Sequence, residues 1–145
     1  MKAIGYFTLL FLTMSLMSCS SGTNAISNDG VAAVSAPDTL AGKTYRVTVE
    51  SGSGVFASTG TFTVGFLSDQ PIYTTQWDGV NFRDSWGMYI YSSSGASGTV
   101  KVEDSSAPNT ISIYSFTFNT AISGTYVATT TADVNSRQSG TFTER

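Results

Sequence analysis

From position 39 to the end of the chain, apolar and polar side chains alternate with a period of two. That is the pattern of strands with one face in a core and the other in water. Segment 43–50 sets Tyr45, Val47 and Val49 on one face and Thr44, Arg46, Thr48 and Glu50 on the other. Segment 60–67 repeats this with Phe62, Val64 and Phe66 inward. Segments 72–77 and 86–92 are further strands, richer in aromatics, and 99–103 points Val100 and Val102 inward. Segment 110–118 changes phase, from Ile111 and Ile113 on one face to Tyr114, Phe116 and Phe118 on the other. That predicts a β-bulge or a strand apolar on both faces. Segments 125–132 and 141–144 complete eight strands. Gly, Asp, Asn, Pro and Ser fill the connections, as turn chemistry requires. No stretch after the first 19 residues has helical periodicity.

Eight short strands with short turns predict an all-β, antiparallel, up-and-down fold. Closing it into a barrel removes both edges and leaves an interior filled by side chains or able to hold one small ligand. A recurring phrase supports closure: Thr59-Gly60-Thr61-Phe62, Ser97-Gly98-Thr99-Val100, Ser123-Gly124-Thr125-Tyr126 and Ser139-Gly140-Thr141-Phe142. Glycine at a strand start permits the sharp bends of a small barrel; a glycine-rich ligand loop is the other reading. The copies are unevenly spaced, which excludes a solenoid or propeller. With its opening Thr39-Leu40-Ala41-Gly42-Lys43-Thr44-Tyr45 and closing Ser139-Gly140-Thr141-Phe142, segment 39–145 resembles the small lipocalin-like (calycin-type) barrels of bacterial envelope proteins. The resemblance implies a fold more than a function.

The first 19 residues follow another logic. Lys2 precedes an uncharged apolar run, small residues close it, and Cys19 follows at once. This is the order of a secretory signal. The run is shorter than the roughly 20 apolar residues of a comfortable membrane span. Leu16-Met17-Ser18-Cys19 resembles the lipobox of bacterial lipoproteins, which implies that Cys19 is acylated and becomes the mature N-terminus. A plain signal peptide that leaves Cys19 a stray thiol is the alternative. Ser20 in place of Asp leans the expected address toward the outer rather than the inner membrane. The expected organisation is a signal peptide over 1–18, the lipidated Cys19 and a flexible tether over 19–38, with a short amphipathic segment around Val31 to Val34 as the alternative, and the barrel over 39–145. Several acyl chains hold a protein on a bilayer stably, so the barrel needs no membrane-binding face of its own.

Composition narrows the chemistry. Ser and Thr make up 43 of the 145 residues and charged residues only 12%. Threonine suits strands better than helices. A net charge of −3 without a basic cluster argues against nucleic acid. The absence of histidine removes Ser-His-Asp and Cys-His triads and, with the lone cysteine, ordinary zinc sites. No cofactor is expected, and no disulfide can form within one chain.

Two clusters remain as candidate sites. Tyr73, Trp77, Phe82, Trp86, Tyr89 and Tyr91 crowd into about twenty residues, a density suited to stacking on a sugar or gripping an apolar ligand at a barrel mouth. Tyr73, Trp77, Trp86 and Tyr89 are the candidate ligand-binding residues, and plain core packing is the competing reading. Trp86, Met88 and Ile90 share one face, Tyr89 and Tyr91 the other, and one set must be core. Asp69, Asp78, Asp84, Glu103 and Asp104 offer carboxylates for glycoside hydrolysis or calcium, but none has a diagnostic spacing. Arg46 and Lys101 read as solvated sheet face, with Glu50 and Glu103 as surface partners.

The sequence thus predicts a non-enzymatic envelope lipoprotein with a monomeric barrel. Its partners are the membrane, through acylated Cys19, and a small apolar or saccharide ligand or an interaction surface. The alternatives are a protein-binding barrel, such as an inhibitor of an envelope-attacking enzyme, and a carbohydrate-active enzyme.

Overall fold

The computed structural model describes residues 33–79 and 84–145; Cys19, the signal segment and Phe82 lie outside them. Eight strands follow in order: β1 (Thr44–Gly52), β2 (Gly60–Phe66), β3 (Ile72–Trp77), β4 (Ser85–Ser94), β5 (Ser97–Asp104), β6 (Ile111–Phe118), β7 (Ser123–Thr130) and β8 (Arg137–Glu144). Each pairs antiparallel with the next, and β8 returns to β1, closing an up-and-down barrel. Closure leaves no strand with an open ladder of backbone donors and acceptors. The predicted fold class is therefore the observed one.

The register explains the alternation. Tyr45, Val47 and Val49 oppose Val64, Phe62 and Gly60 across β1–β2, so one inward column serves both strands. The phase change of β6 is a strand apolar on both faces: its pairing to β5 and β7 runs without a shift. The bulge falls elsewhere, between Val49 and Ser51 on the β1–β8 seam. The glycines of the recurring phrase sit within or at the start of strands, where another group lies close. A Cβ on Gly140 would stand 1.9 Å from the Thr48 carbonyl oxygen, and one on Gly98 would stand 2.8 Å from Tyr91 Oη. These are the close approaches that bend a sheet into a small barrel, which favours the structural reading of the phrase.

The two ends of the barrel differ. At one end Leu40, Tyr45, Phe66, Phe116, Phe118 and Phe142 fill the interior, leaving a void of only about 10 Å³. The Phe142 ring meets Tyr45, Phe116 and Phe118 edge-on at 5.7, 5.1 and 5.0 Å between centroids, the favourable geometry for aromatic rings. The described end of the expected tether belongs to this plug. Ala36 is buried and Val34 packs on the core. Ala36 N–H donates to the Gly95 carbonyl at 2.7 Å, and Tyr91 Oη donates to the Pro37 carbonyl at 2.8 Å. Ala33–Asp38 therefore closes the barrel rather than hanging from it. We call this the closed end. Here Tyr45 Oη is buried without a hydrogen-bond partner, and burial, with Glu144 and Tyr91 adding to it, pushes its pKa well above the ordinary tyrosine range.

Candidate functional site at the open end

The opposite end holds a cup of about 260 Å³. Strand parity supplies its walls. Val100, Val102 and Asp104 are successive inward positions of β5, so Asp104 continues the apolar column to the rim. Tyr73, Thr75 and Trp77 do the same on β3, and Ser112 and Tyr114 on β6. Gly87 opposes both Tyr73 and Asp104 and leaves room for them to meet. Beneath the cup the interior narrows to an apolar void of about 40 Å³, too small for an organic ligand.

The β1–β2 loop forms the remaining wall. It turns inward rather than projecting. Val55 N–H donates to Ser136 Oγ at 2.9 Å, and the Gln138 side-chain amide donates to the Ala57 carbonyl at 3.1 Å. Gln138 is itself held by the Tyr126 hydroxyl at 3.0 Å. Gly54 has φ +64, and a Cβ there would stand 1.9 Å from Ser136 Oγ, so only glycine fits. This latch seats Phe56 over the core and beside the cup.

The cup mixes rings with fixed polar groups. The Trp77 ring lies over Phe62, with centroids 4.6 Å apart and planes at 36°. Its backbone N–H donates to Asp84 Oδ1 at 3.2 Å. The Tyr73 hydroxyl donates to Asp104 Oδ2 at 3.0 Å, while Ser106 N–H donates to Asp104 Oδ1 at 2.8 Å. Partial burial pushes the Asp104 carboxyl up, but hydrogen bonds from Ser106, Ser85 and Tyr73 outweigh it and hold it below the ordinary value. Asp104 is thus a carboxylate at neutral pH. Burial, then the charge of Asp104 and its hydrogen bond, push the Tyr73 hydroxyl above the usual tyrosine range. Burial and the same charge push Tyr114 up to about 12. Both phenols stay neutral donors. Among the described residues Asp104 is the one carboxylate lining the cup, and no group of three His, Cys, Asp or Glu could hold a metal.

The four candidate ligand residues separate. Tyr73 and Trp77 line the cup. Tyr89 points inward but packs edge-on against Phe66 at 4.8 Å, deeper in the barrel and away from the cup. Trp86 parts from the other three. It lies outside, 56% exposed, because Gly87 pairs with inward-facing Tyr73 and so puts odd positions of β4 inside. Tyr91 is also inward, at the closed end. Of the acidic candidates, Glu103 faces outward and Asp78 forms an exposed ion pair with Arg46, which takes the place expected of Glu50. Tyr114, Phe56 and Gln138 were not singled out in the sequence. Tyr114 was legible from its parity with Phe116; Phe56 and Gln138 were not, because a loop and a polar residue carry no periodic signal.

The fold and site define an eight-stranded up-and-down barrel, plugged at one end and open to a small aromatic and polar cup at the other. Compared with known protein families, characterised proteins and solved structures, the chain matches none.

Proposed function

We propose that this chain is a lipocalin-like envelope lipoprotein, anchored through acylated Cys19, whose barrel binds a small saccharide at the open end without chemical turnover. One observation carries the reading: the open end holds a cup that sets the rings of Trp77, Tyr73 and Tyr114 beside the Asp104 carboxylate, Ser112 and Gln138. A sugar presents apolar C–H faces and a rim of hydroxyls, so it needs rings to stack on and fixed acceptors at the side. A purely apolar ligand would displace water from the rim beside Asp104 and offer the carboxylate's remaining acceptor sites nothing in return. The cup lies just under the roughly 300–1,000 Å³ of common ligand pockets, which favours one sugar ring over a chain. Hydrolysis of a glycoside by two facing carboxylates finds one carboxylate among the described lining residues.

Fluorescence titration tests the binding half. The chain has two tryptophans, so Trp86→Phe leaves Trp77 as the reporter. Neutral and amino monosaccharides are expected to give a saturable change that Asp104→Ala abolishes. No saturable response across the panel overturns the proposal. The anchor is tested separately, by labelling cells with a radioactive fatty acid: incorporation is expected in the native protein and not in Cys19→Ala.

A further inference from the structure

The outer surface carries a second arrangement, away from the cup. Outward positions of β4 present Trp86, Met88 and Ile90, exposed by 56%, 59% and 72%. A run of large apolar side chains in water marks a contact surface. The register shows what flanks it. Ile90 lies beside Lys101, and Lys101 beside Ile113. In the next outward row Met88 lies beside Glu103, and Glu103 beside Ile111. Each row reads apolar, charged, apolar, and the two charges are opposite. Lys101 forms no ion pair among the described residues. Glu103 accepts the Asn109 N–H at 3.1 Å, and a carboxylate can accept several more bonds.

This face is complementary to itself. A half-turn about an axis lying in the face, across the strands and midway between the rows, brings up a second copy. Lys101 then meets Glu103 of the second copy, Ile90 meets Met88, and Ile113 meets Ile111, each contact occurring twice as a two-fold interface requires. Trp86 falls over Ser92, a small residue one row beyond Ile90 on the same strand. A half-turn about an axis along the strands sets Lys101 against Lys101 and is excluded by charge. An anionic bilayer surface attracts Lys101 but repels Glu103, so the two opposite charges together favour a second copy over lipid. We propose that the β4–β5–β6 outer face pairs two copies of this chain. This departs from the monomer expected from sequence and depends on neither the cup nor the anchor. The face is three strands wide, about 10 Å between its outer strands. It is smaller than a standard interface of about 800 Å² per partner, so the dimer is weak and reversible.

Sedimentation equilibrium of the full chain carrying Cys19→Ser, in density-matched detergent, tests this. A monomer–dimer equilibrium is expected. Lys101→Glu and Glu103→Lys should each weaken it by about tenfold or more, because like charges then meet. Combining the two should restore it. Ile90→Lys should also shift the equilibrium to monomer. If that variant fails to fold, the charge exchange still decides. A monomer at every concentration overturns the proposal, as does a dimer indifferent to the charge variants or a combined variant no better than the single ones. Binding to phosphatidylcholine vesicles that Ile90→Lys abolishes, without any dimer, gives the face to lipid and overturns it too.

Discussion

The two ends of this barrel are built from the same strands yet do opposite things with their inward positions. At the closed end those positions are aromatic, and ring edges meet ring faces until about 10 Å³ remains. At the open end the same columns finish in Asp104, Ser112, Trp77 and Gln138 around about 260 Å³. Each end also has its own lid. Ala33–Leu40 plugs one with apolar contacts and hydrogen bonds to Tyr91 of β4 and to Gly95 of the β4–β5 turn, whereas the β1–β2 loop is latched across part of the other by Ser136 and Gln138. The contrast teaches that burial and binding are separated along the barrel axis. Apolar packing supplies stability at one end, so the other can afford a carboxylate and an open volume.

Mutations can break this separation. The largest effect is expected from Phe142→Ala at the closed end: a loss of about 3–5 kcal/mol in urea unfolding, with sugar affinity unchanged in whatever fraction remains folded. A comparable loss of affinity would mean that the ends are coupled.

Removing one tyrosine hydroxyl at each end sharpens the comparison. Tyr73→Phe takes a donor from Asp104 and should lower stability by about 1 kcal/mol. Tyr45→Phe removes a buried hydroxyl with no partner and should raise it by about the same amount. Opposite signs for the same chemical change are the check, read from denaturation midpoints at constant slope.

Acid should act on the open end. The folded pKa of Asp104 lies below its ordinary value of 3.8, so the folded state binds its proton less readily than the unfolded chain. Its contribution is complete above the unfolded value and is lost as pH falls through the folded one. Asp104→Asn should therefore flatten the acid limb of stability against pH, below about pH 4. An unchanged acid limb would mean that the carboxylate is not held as described. The smallest effect belongs to Trp86→Phe on the outer wall, expected within about 0.5 kcal/mol of the parent by thermal unfolding.

Much of the strand pattern was legible because a period of two is local. Tyr45, Val47 and Val49 announce a half-buried strand wherever it pairs. The ends of strands were less legible. β8 starts at Arg137 and not near Thr141, because Arg137, Gln138 and Ser139 belong to the ladder through their backbones while their side chains give no apolar signal. The candidate site was half legible. Tyr73 and Trp77 share a column with Thr75, and all three reach the cup. Trp86 could not be placed, since a strand apolar on both faces does not say which face is inside.

Alternation, turn residues and recurring glycines in the chain by themselves determined an all-β, antiparallel set of eight strands, because side-chain direction along a strand depends only on neighbouring residues. Tertiary structure alone decided which of two apolar faces of β4 turned inward. It also decided that Asp104 met Tyr73 over Gly87, and that one end was plugged while the other stayed open. Those outcomes depend on the register of each strand against its neighbours and on which segments cover the two ends, and both are set by the packing of the whole barrel.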